Sequence, residues 1–277
     1  MKKNTYDKYI EEVSKTLLQV PNFEKIEQDP QMQKIFDSLH AKMVEVSNLR
    51  ELYEKYYCPA ARECIRKQTK LIQKSKYLKG NNEALEKLQD IYYSTIRMGY
   101  VQLFHYVESY VNVSLFPQLN IICQDSDIKT VQWYCTTNYN YNIEKHWKQP
   151  LDFTIEKINW ITRRVKHNDG FPINEHNKWP THYLLKNHEF RFEESKRFQI
   201  EIDEFIQDIN DTLDFLSRFT TIVFKIYLIP LLEKMINFLK PLSNNQEIED
   251  NIKILEESRE WLINNIDEYF KLLGINE

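Results

Sequence analysis

Residues 97–112 read RMGYVQLFHYVESYVN, and the fold assignment starts from this stretch. Apolar residues recur here at three- and four-residue steps, at Tyr100, Leu103, Val107 and Tyr110. That spacing puts them on one side of a helix. Leu85 and Ile96 extend the same arc backwards, which gives a helix over 82–115. An apolar arc this wide predicts a central helix of a bundle. Gly99 lies on the same broad face and costs helix propensity, so it is expected to mark a close approach of another backbone. At about 100° per residue, Arg97, Val101, Phe104, Glu108 and Asn112 form a stripe along the edge of the arc. Arg97 and Glu108 are roughly 16 Å apart along such a helix. Each therefore needs its own partner.

The composition agrees with helices. The chain of 277 residues contains four glycines, too few for Gly-rich phosphate loops or a hairpin-rich sheet. A hydrophobic fraction of 42% and an aromatic fraction of 13% supply ample core for one large domain or two modest ones. The formal net charge of −4 excludes an extended nucleic-acid coat, so any RNA contact is local. Cys58, Cys64, Cys123 and Cys135 show no C-x-x-C pairing and read as reduced thiols of a cytoplasmic protein. The N-terminus lacks the apolar core of a signal peptide. The most apolar segment, FTTIVFKIYLIPLL at 219–232, is interrupted by Lys225 and Pro230. It falls short of the roughly 20 residues that a span requires, so no membrane contact is expected.

Further helices follow from the same pattern. A short one covers 4–19. Over 32–57, Met32, Phe36, Leu39, Met43, Val46, Tyr53 and Tyr57 make a heptad-like seam broken at Arg50, read as half of an intramolecular helical hairpin. Pro59 is placed to begin the next helix, a basic one that stops at Gly80. Its cations read as a solvated face. Residues 116–149 look irregular, and another helix covers 151–167. A small extended or hairpin insertion is expected near 173–193, with HYLL and FRF around KNHE. A long helix runs from 194 to Pro230, followed by helices over 231–239 and 246–273. The predicted fold is all-α: an N-terminal helical extension over 1–80, a helical bundle over 81–242, and a C-terminal helix over 243–277 that packs on the bundle.

On helix 151–167, Ile155, Ile158, Ile161 and Val165 form the core stripe. Glu156, Trp160, Arg163 and His167 lie opposite, within about 60° of one another. A tryptophan on that side calls for a cover, either another layer of the chain or a second subunit. His167 falls in the last turn, where the helix dipole favours a cation. Asn168 and Gly170 suit a left-handed cap, and Pro172 prevents a restart. Dipole complementarity and an ordinary stop signal alone would produce this pattern.

RMGYVQLFHYVESYVN, followed further along by WITRRVKHNDG at 160–170, resembles the HEPN superfamily of helical-bundle proteins. The resemblance covers about 90–220. It implies an inward glutamate, matched by Glu108, and a later helix ending in an Arg-x4–6-His motif. It also implies a homodimer that brings two Arg/His pairs together and, in active members, metal-independent RNA cleavage. Such members serve prokaryotic toxin and antiphage defence systems. The motif here is Arg-x3-His: Thr162 stands five residues before His167, and Arg164 replaces the usual asparagine.

In that setting His167 would act as general base or acid on the ribose hydroxyl or the leaving oxygen. Arg163, with Arg164 or Arg97, would hold the phosphate, and Lys166 and Asn168 would complete the RNA-binding set. Glu108 would orient an arginine. Trp160 would stack on a base or pack in an interface. No metal and no cofactor is implied. His176, His182 and His188 recur every six residues, a spacing that puts no ligand pair on one helical face. The expected partners are a second copy, RNA, or a partner protein of the same system. The alternative is a catalytically inactive helical subunit that serves as scaffold in a multiprotein assembly.

Overall fold

The computed structural model describes residues 5–23, 30–123, 131–143, 147, 153–171 and 197–272. All regular secondary structure among them is helical, as expected. The hairpin expected near 173–193 lies outside the described residues.

Pro59, Pro117 and Pro230 lie inside continuous helical runs. After α1 (Thr5–Leu17), α2 (Pro30–Leu52) passes through a widened turn at Tyr53–Tyr57 directly into α3 (Cys58–Lys74). The Cys58 N–H donates to the Tyr53 carbonyl, five residues back. Pro59 has no N–H, and its ring would collide with the carbonyl four residues earlier, at Lys55. A turn of five-residue periodicity gives that carbonyl room. Burial passes from Tyr53 to Cys58, which is 2% exposed, and leaves Tyr57 45% exposed. The expected seam position at Tyr57 is thus displaced by one residue. The same device recurs where α4 (Asn82–Ser109) passes through Tyr110–Leu115 into α5 (Phe116–Cys123) ahead of Pro117.

After α6 (Val131–Tyr139) and α7 (Phe153–Asn168), α8 (Ile202–Leu239) runs straight through Pro230. The sequence had suggested separate helices on either side. Residues 219–230 are all buried. Each fully buried Val, Leu, Ile or Phe side chain stabilises by about 1.5–3 kcal/mol, so a few of them outweigh the roughly 3 kcal/mol that an internal proline costs. The helical stretch Ile202–Leu242 is long and apolar enough to cross a membrane, but 89% of its most apolar window is buried inside the protein, as in a core helix. The single helix expected over 246–273 is broken at Asn265 into α9 (Gln246–Asn264) and α10 (Ile266–Leu272).

The chain forms two compact units. The first comprises Met1–Val44, Val107–Asp152 and Leu213–Glu277; the second comprises Glu45–Tyr106 and Phe153–Thr212. They interleave along the sequence, because α2, α4 and α8 each contribute to both. In the first unit Phe224 takes the ring edges of Phe23 and Phe36 at 6.4 and 5.2 Å. Ser258 Oγ donates to the Pro21 carbonyl at 2.7 Å and ties α9 to the turn after α1.

In the second unit the arc read from the sequence is buried at Ile96, Tyr100 and Leu103, as are Ile155, Ile158 and Ile161 of α7 and Phe205 and Ile209 of α8. Gly99 does mark a close approach, but of aromatic rings and not of a backbone. A Cβ there would lie 2.6 Å from Phe205 Cζ and 2.9 Å from Tyr53 Cε1. Phe205 is itself held between Tyr53 and Tyr100, with centroids at 5.0 and 4.7 Å. Gly99→Ala should therefore lower stability by about 1–3 kcal/mol through overpacking, in spite of alanine's better helix propensity. Urea unfolding measures this; an equal or higher midpoint would mean that the Phe205 ring yields.

Candidate functional site

Helix α7 buries Thr154, Ile155, Lys157, Ile158, Ile161 and Thr162 and turns Arg163, Lys166 and His167 to solvent. Its end is closed by two backbone bonds. The Gly170 N–H donates to the Arg164 carbonyl at 3.1 Å, six residues back, and the Phe171 N–H to the Asn168 carbonyl at 2.9 Å. Such closure needs left-handed backbone. Asp169 and Gly170 supply it, with φ of 52° and 79°. Asn168, expected to take part in the left-handed cap, stays helical. With its amide oriented to satisfy both ends, it accepts from Arg164 Nη1 at 2.8 Å and donates to the His167 carbonyl at 2.9 Å.

A charged clamp fixes this cap. Arg97, on α4, is 3% exposed. Its guanidinium bonds to Asp90 Oδ1 at 2.7 Å and to the Phe198 carbonyl at 2.9 Å. Its stem lies against Gly170, where a Cβ would approach Cδ and Nε to 2.9 Å. Arg197 takes the other oxygen of Asp90 at 2.9 Å, the Asp169 carbonyl at 3.0 Å and the Asp169 carboxylate. The Phe198 N–H donates to the Gly170 carbonyl at 3.0 Å. Arg97, expected to bind phosphate, instead supports the end of the helix. Its place at the margin of the apolar arc draws it inward, and Asp90 makes its burial tolerable.

Trp160 finds its cover within the chain: its ring lies 5.9 Å from Phe198, and the Arg164 guanidinium sits 5.6 Å above it. Its position on the outer face therefore gives no argument for a second subunit. Thr162, where the HEPN pattern has arginine, is 1% exposed and donates to the Tyr100 carbonyl at 3.0 Å. That position faces the core. Glu108 belongs to the first unit, whereas Arg97, Trp160, Arg163, Arg164, Lys166, His167 and Asn168 belong to the second. The side chains of Arg163, Lys166 and His167 make no hydrogen bond or ion pair among the described residues. Arg163 and His167 are one turn apart on the same strip of helix.

The sequence reading missed a buried ionic cluster in the second unit. Lys157 Nζ meets Asp208 Oδ2 at 2.6 Å and Glu204 Oε1 at 2.7 Å, and the Tyr100 hydroxyl donates to Asp208 Oδ2 at 2.5 Å. Burial pushes the Asp208 carboxyl up to about 6 despite the pull of Lys157. Burial alone would depress the Lys157 ammonium, but the two carboxylates outweigh it and hold it above its ordinary value. The cluster ties α4, α7 and α8 together, and with Lys157 and Asp208 both buried it offers little to a substrate. Its sequence signal was an acid inside an apolar stripe, Asp208 between Phe205 and Ile209, with Glu204 one turn earlier.

Among the described residues, no group of three His, Cys, Asp or Glu side chains could hold a metal ion; His176, His182 and His188 lie outside those residues. No family model, curated protein or solved structure matches the chain.

Proposed function

We propose that this chain is a HEPN-like, metal-independent endoribonuclease of a prokaryotic toxin or antiphage defence system, acting in the cytoplasm through the exposed end of α7. The observation that carries this reading is the set Arg163, Lys166 and His167: three basic side chains without partners among the described residues, on a helix end held by the Arg97–Asp90–Arg197–Asp169 clamp. A fixed frame under exposed cations suits phosphate positioning. His167 takes the proton from a ribose 2′-hydroxyl, Arg163 and Lys166 hold the phosphate, and the products carry a 2′,3′-cyclic phosphate and a 5′-hydroxyl. In a homodimer, the second copy's His167 supplies the proton to the leaving oxygen.

Incubation of the protein with structured RNA in EDTA should yield 2′,3′-cyclic-phosphate ends, and His167→Ala should slow cleavage by about 100-fold or more. Arg163→Ala should act in the same direction. Both residues are exposed, so folding stays intact. Cleavage at an unchanged rate in His167→Ala removes this site from consideration, and a light-scattering mass of one chain removes the paired-histidine step.

Two observations favour the second reading, a non-cleaving helical subunit that binds RNA or a partner protein of the same system. Thr162 lies in the core, and Arg97 is committed to the cap. One cation fewer then faces a phosphate than in the HEPN pattern. RNA bound but left uncut by the wild type is the outcome that selects it.

A further inference from the structure

The first unit buries a lysine inside its apolar core. Lys225 of α8 sits in the most apolar run of the chain and is 4% exposed. Its ammonium has no carboxylate or carbonyl partner among the described residues. It lies 5.7 Å from the Trp261 ring and 5.1 Å from the Tyr269 ring. Both rings come from the α9–α10 corner, which the broken helix at Asn265 creates. Exposed Glu268, which lines the same cavity, favours the charged ammonium but makes no ion pair with it. Ring faces stabilise a cation but leave its three N–H donors unused.

Lys225 lines a cavity of about 170 Å³ together with Thr16, Ile222, Trp261, Glu268, Tyr269 and Leu272. The Tyr269 hydroxyl, also buried, has no hydrogen-bond partner among the described residues. Burial pushes that phenol up to about 12, so it remains a neutral donor at physiological pH. Of the other polar groups that line the cavity, the Thr16 hydroxyl donates to the Glu12 carbonyl at 2.7 Å, the Thr221 hydroxyl to the Ser217 carbonyl at 2.8 Å and Asn265 Nδ2 to the Trp261 carbonyl at 2.6 Å, while Gln19 and Glu268 are exposed. A second hollow of about 210 Å³ shares Thr16, Ile222 and Leu272 and continues the apolar wall. Two unused donors, one of them charged, lie beside an apolar wall. The complementary molecule has a small negative acceptor and a short hydrocarbon body.

We propose that this cavity is a binding site for a small monocarboxylate, with its carboxylate on Lys225 Nζ and the Tyr269 hydroxyl and its hydrocarbon body against Trp261, Ile222 and Leu272. Unmet charge explains why the core keeps a lysine here: burial depresses the ammonium, which is a standing cost to the empty protein and is relieved by the anion. The site lies wholly within the first unit and is independent of the α7 reading.

The test uses isovalerate and inorganic phosphate as probes on the full chain, read by calorimetry and by thermal unfolding. Isovalerate should bind saturably and raise Tm with concentration. Lys225→Met keeps the apolar stem and removes the charge, so it should fold with an equal or higher Tm and bind isovalerate about 10- to 100-fold more weakly. Tyr269→Phe should weaken binding less. Absence of any isovalerate-dependent heat or Tm shift overturns the proposal, and so does equal binding by Lys225→Met. Phosphate binding as tight as isovalerate overturns the assignment of a carboxylic acid.

Discussion

Lys157→Met should remove about 3–5 kcal/mol of unfolding free energy at pH 8, the penalty for leaving a buried charge without its partner. Methionine keeps the volume and the stem, so the loss measures the ammonium. What remains is Asp208, almost wholly inside the protein, with the Tyr100 hydroxyl as its hydrogen-bond donor and Glu204 as a second negative neighbour. The pH dependence fixes the cause. Asp208 is held at about 6 when folded against an ordinary 3.8, so the folded state binds this proton more tightly than the unfolded chain does. Its contribution to stability therefore declines as pH rises through that window. In the variant no ammonium opposes the rise, and the carboxyl takes up its proton at still higher pH. The deficit relative to wild type should shrink at pH 5, where Asp208 is neutral, and grow at pH 8. Adding Asp208→Asn to the variant should restore most of the loss. Urea unfolding of the four proteins at both pH values decides the matter. A deficit below about 1 kcal/mol, as for an exposed ion pair, would mean that water reaches the cluster.

Arg97→Ala should cost about 2–4 kcal/mol, from lost charge-assisted bonds and an orphaned carbonyl at Phe198. The estimate stays below that for Lys157 because Asp90 is partly exposed and keeps Arg197. The sequence reading, which gave Arg97 to the phosphate, predicts the reverse: an unchanged midpoint and weaker RNA binding. Thermal unfolding and RNA titration on one preparation separate the two. Gly170→Ala supplies a check. It strains a backbone at φ 79° and presses on the Arg97 stem. Once Arg97 is alanine, only the backbone part, about 1–2 kcal/mol, should remain.

Periodicity carried most of the fold. The buried faces of α4, α7 and α8 follow the three- and four-residue spacing read from the sequence, since burial of one stripe is what makes such helices stable. Helix ends were harder to place. Proline lowers local propensity at 59, 117 and 230, but whether a helix stops there depends on packing around the next turn, which no local pattern encodes. The candidate site was legible as residue types and as a face. It was not legible as partnerships. Arg97 and Arg163 look equivalent in the sequence, yet one is folded under the cap and the other projects from it, because only Arg97 has Asp90, Phe198 and Gly170 around it. Lys225 reads as an interruption of an apolar run and Lys157 gives no sequence signal, and only the fold gives Lys157 two carboxylates and Lys225 two rings.

The widened turn at Tyr53–Tyr57 also sets the angular phase of everything after it. It acts as a one-residue insertion that the helix absorbs without breaking, and it turns α3 by about 100° relative to a regular continuation of α2. Closing this turn to regular helical periodicity with its residues kept and Pro59 replaced would return Tyr57 to the core in place of Cys58. The cations Arg62, Arg66 and Lys70 would then swing round by the same angle, and Arg62 would leave Tyr92, to which it donates at 2.8 Å. The direction in which this basic helix presents its charge thus depends on a single surplus residue.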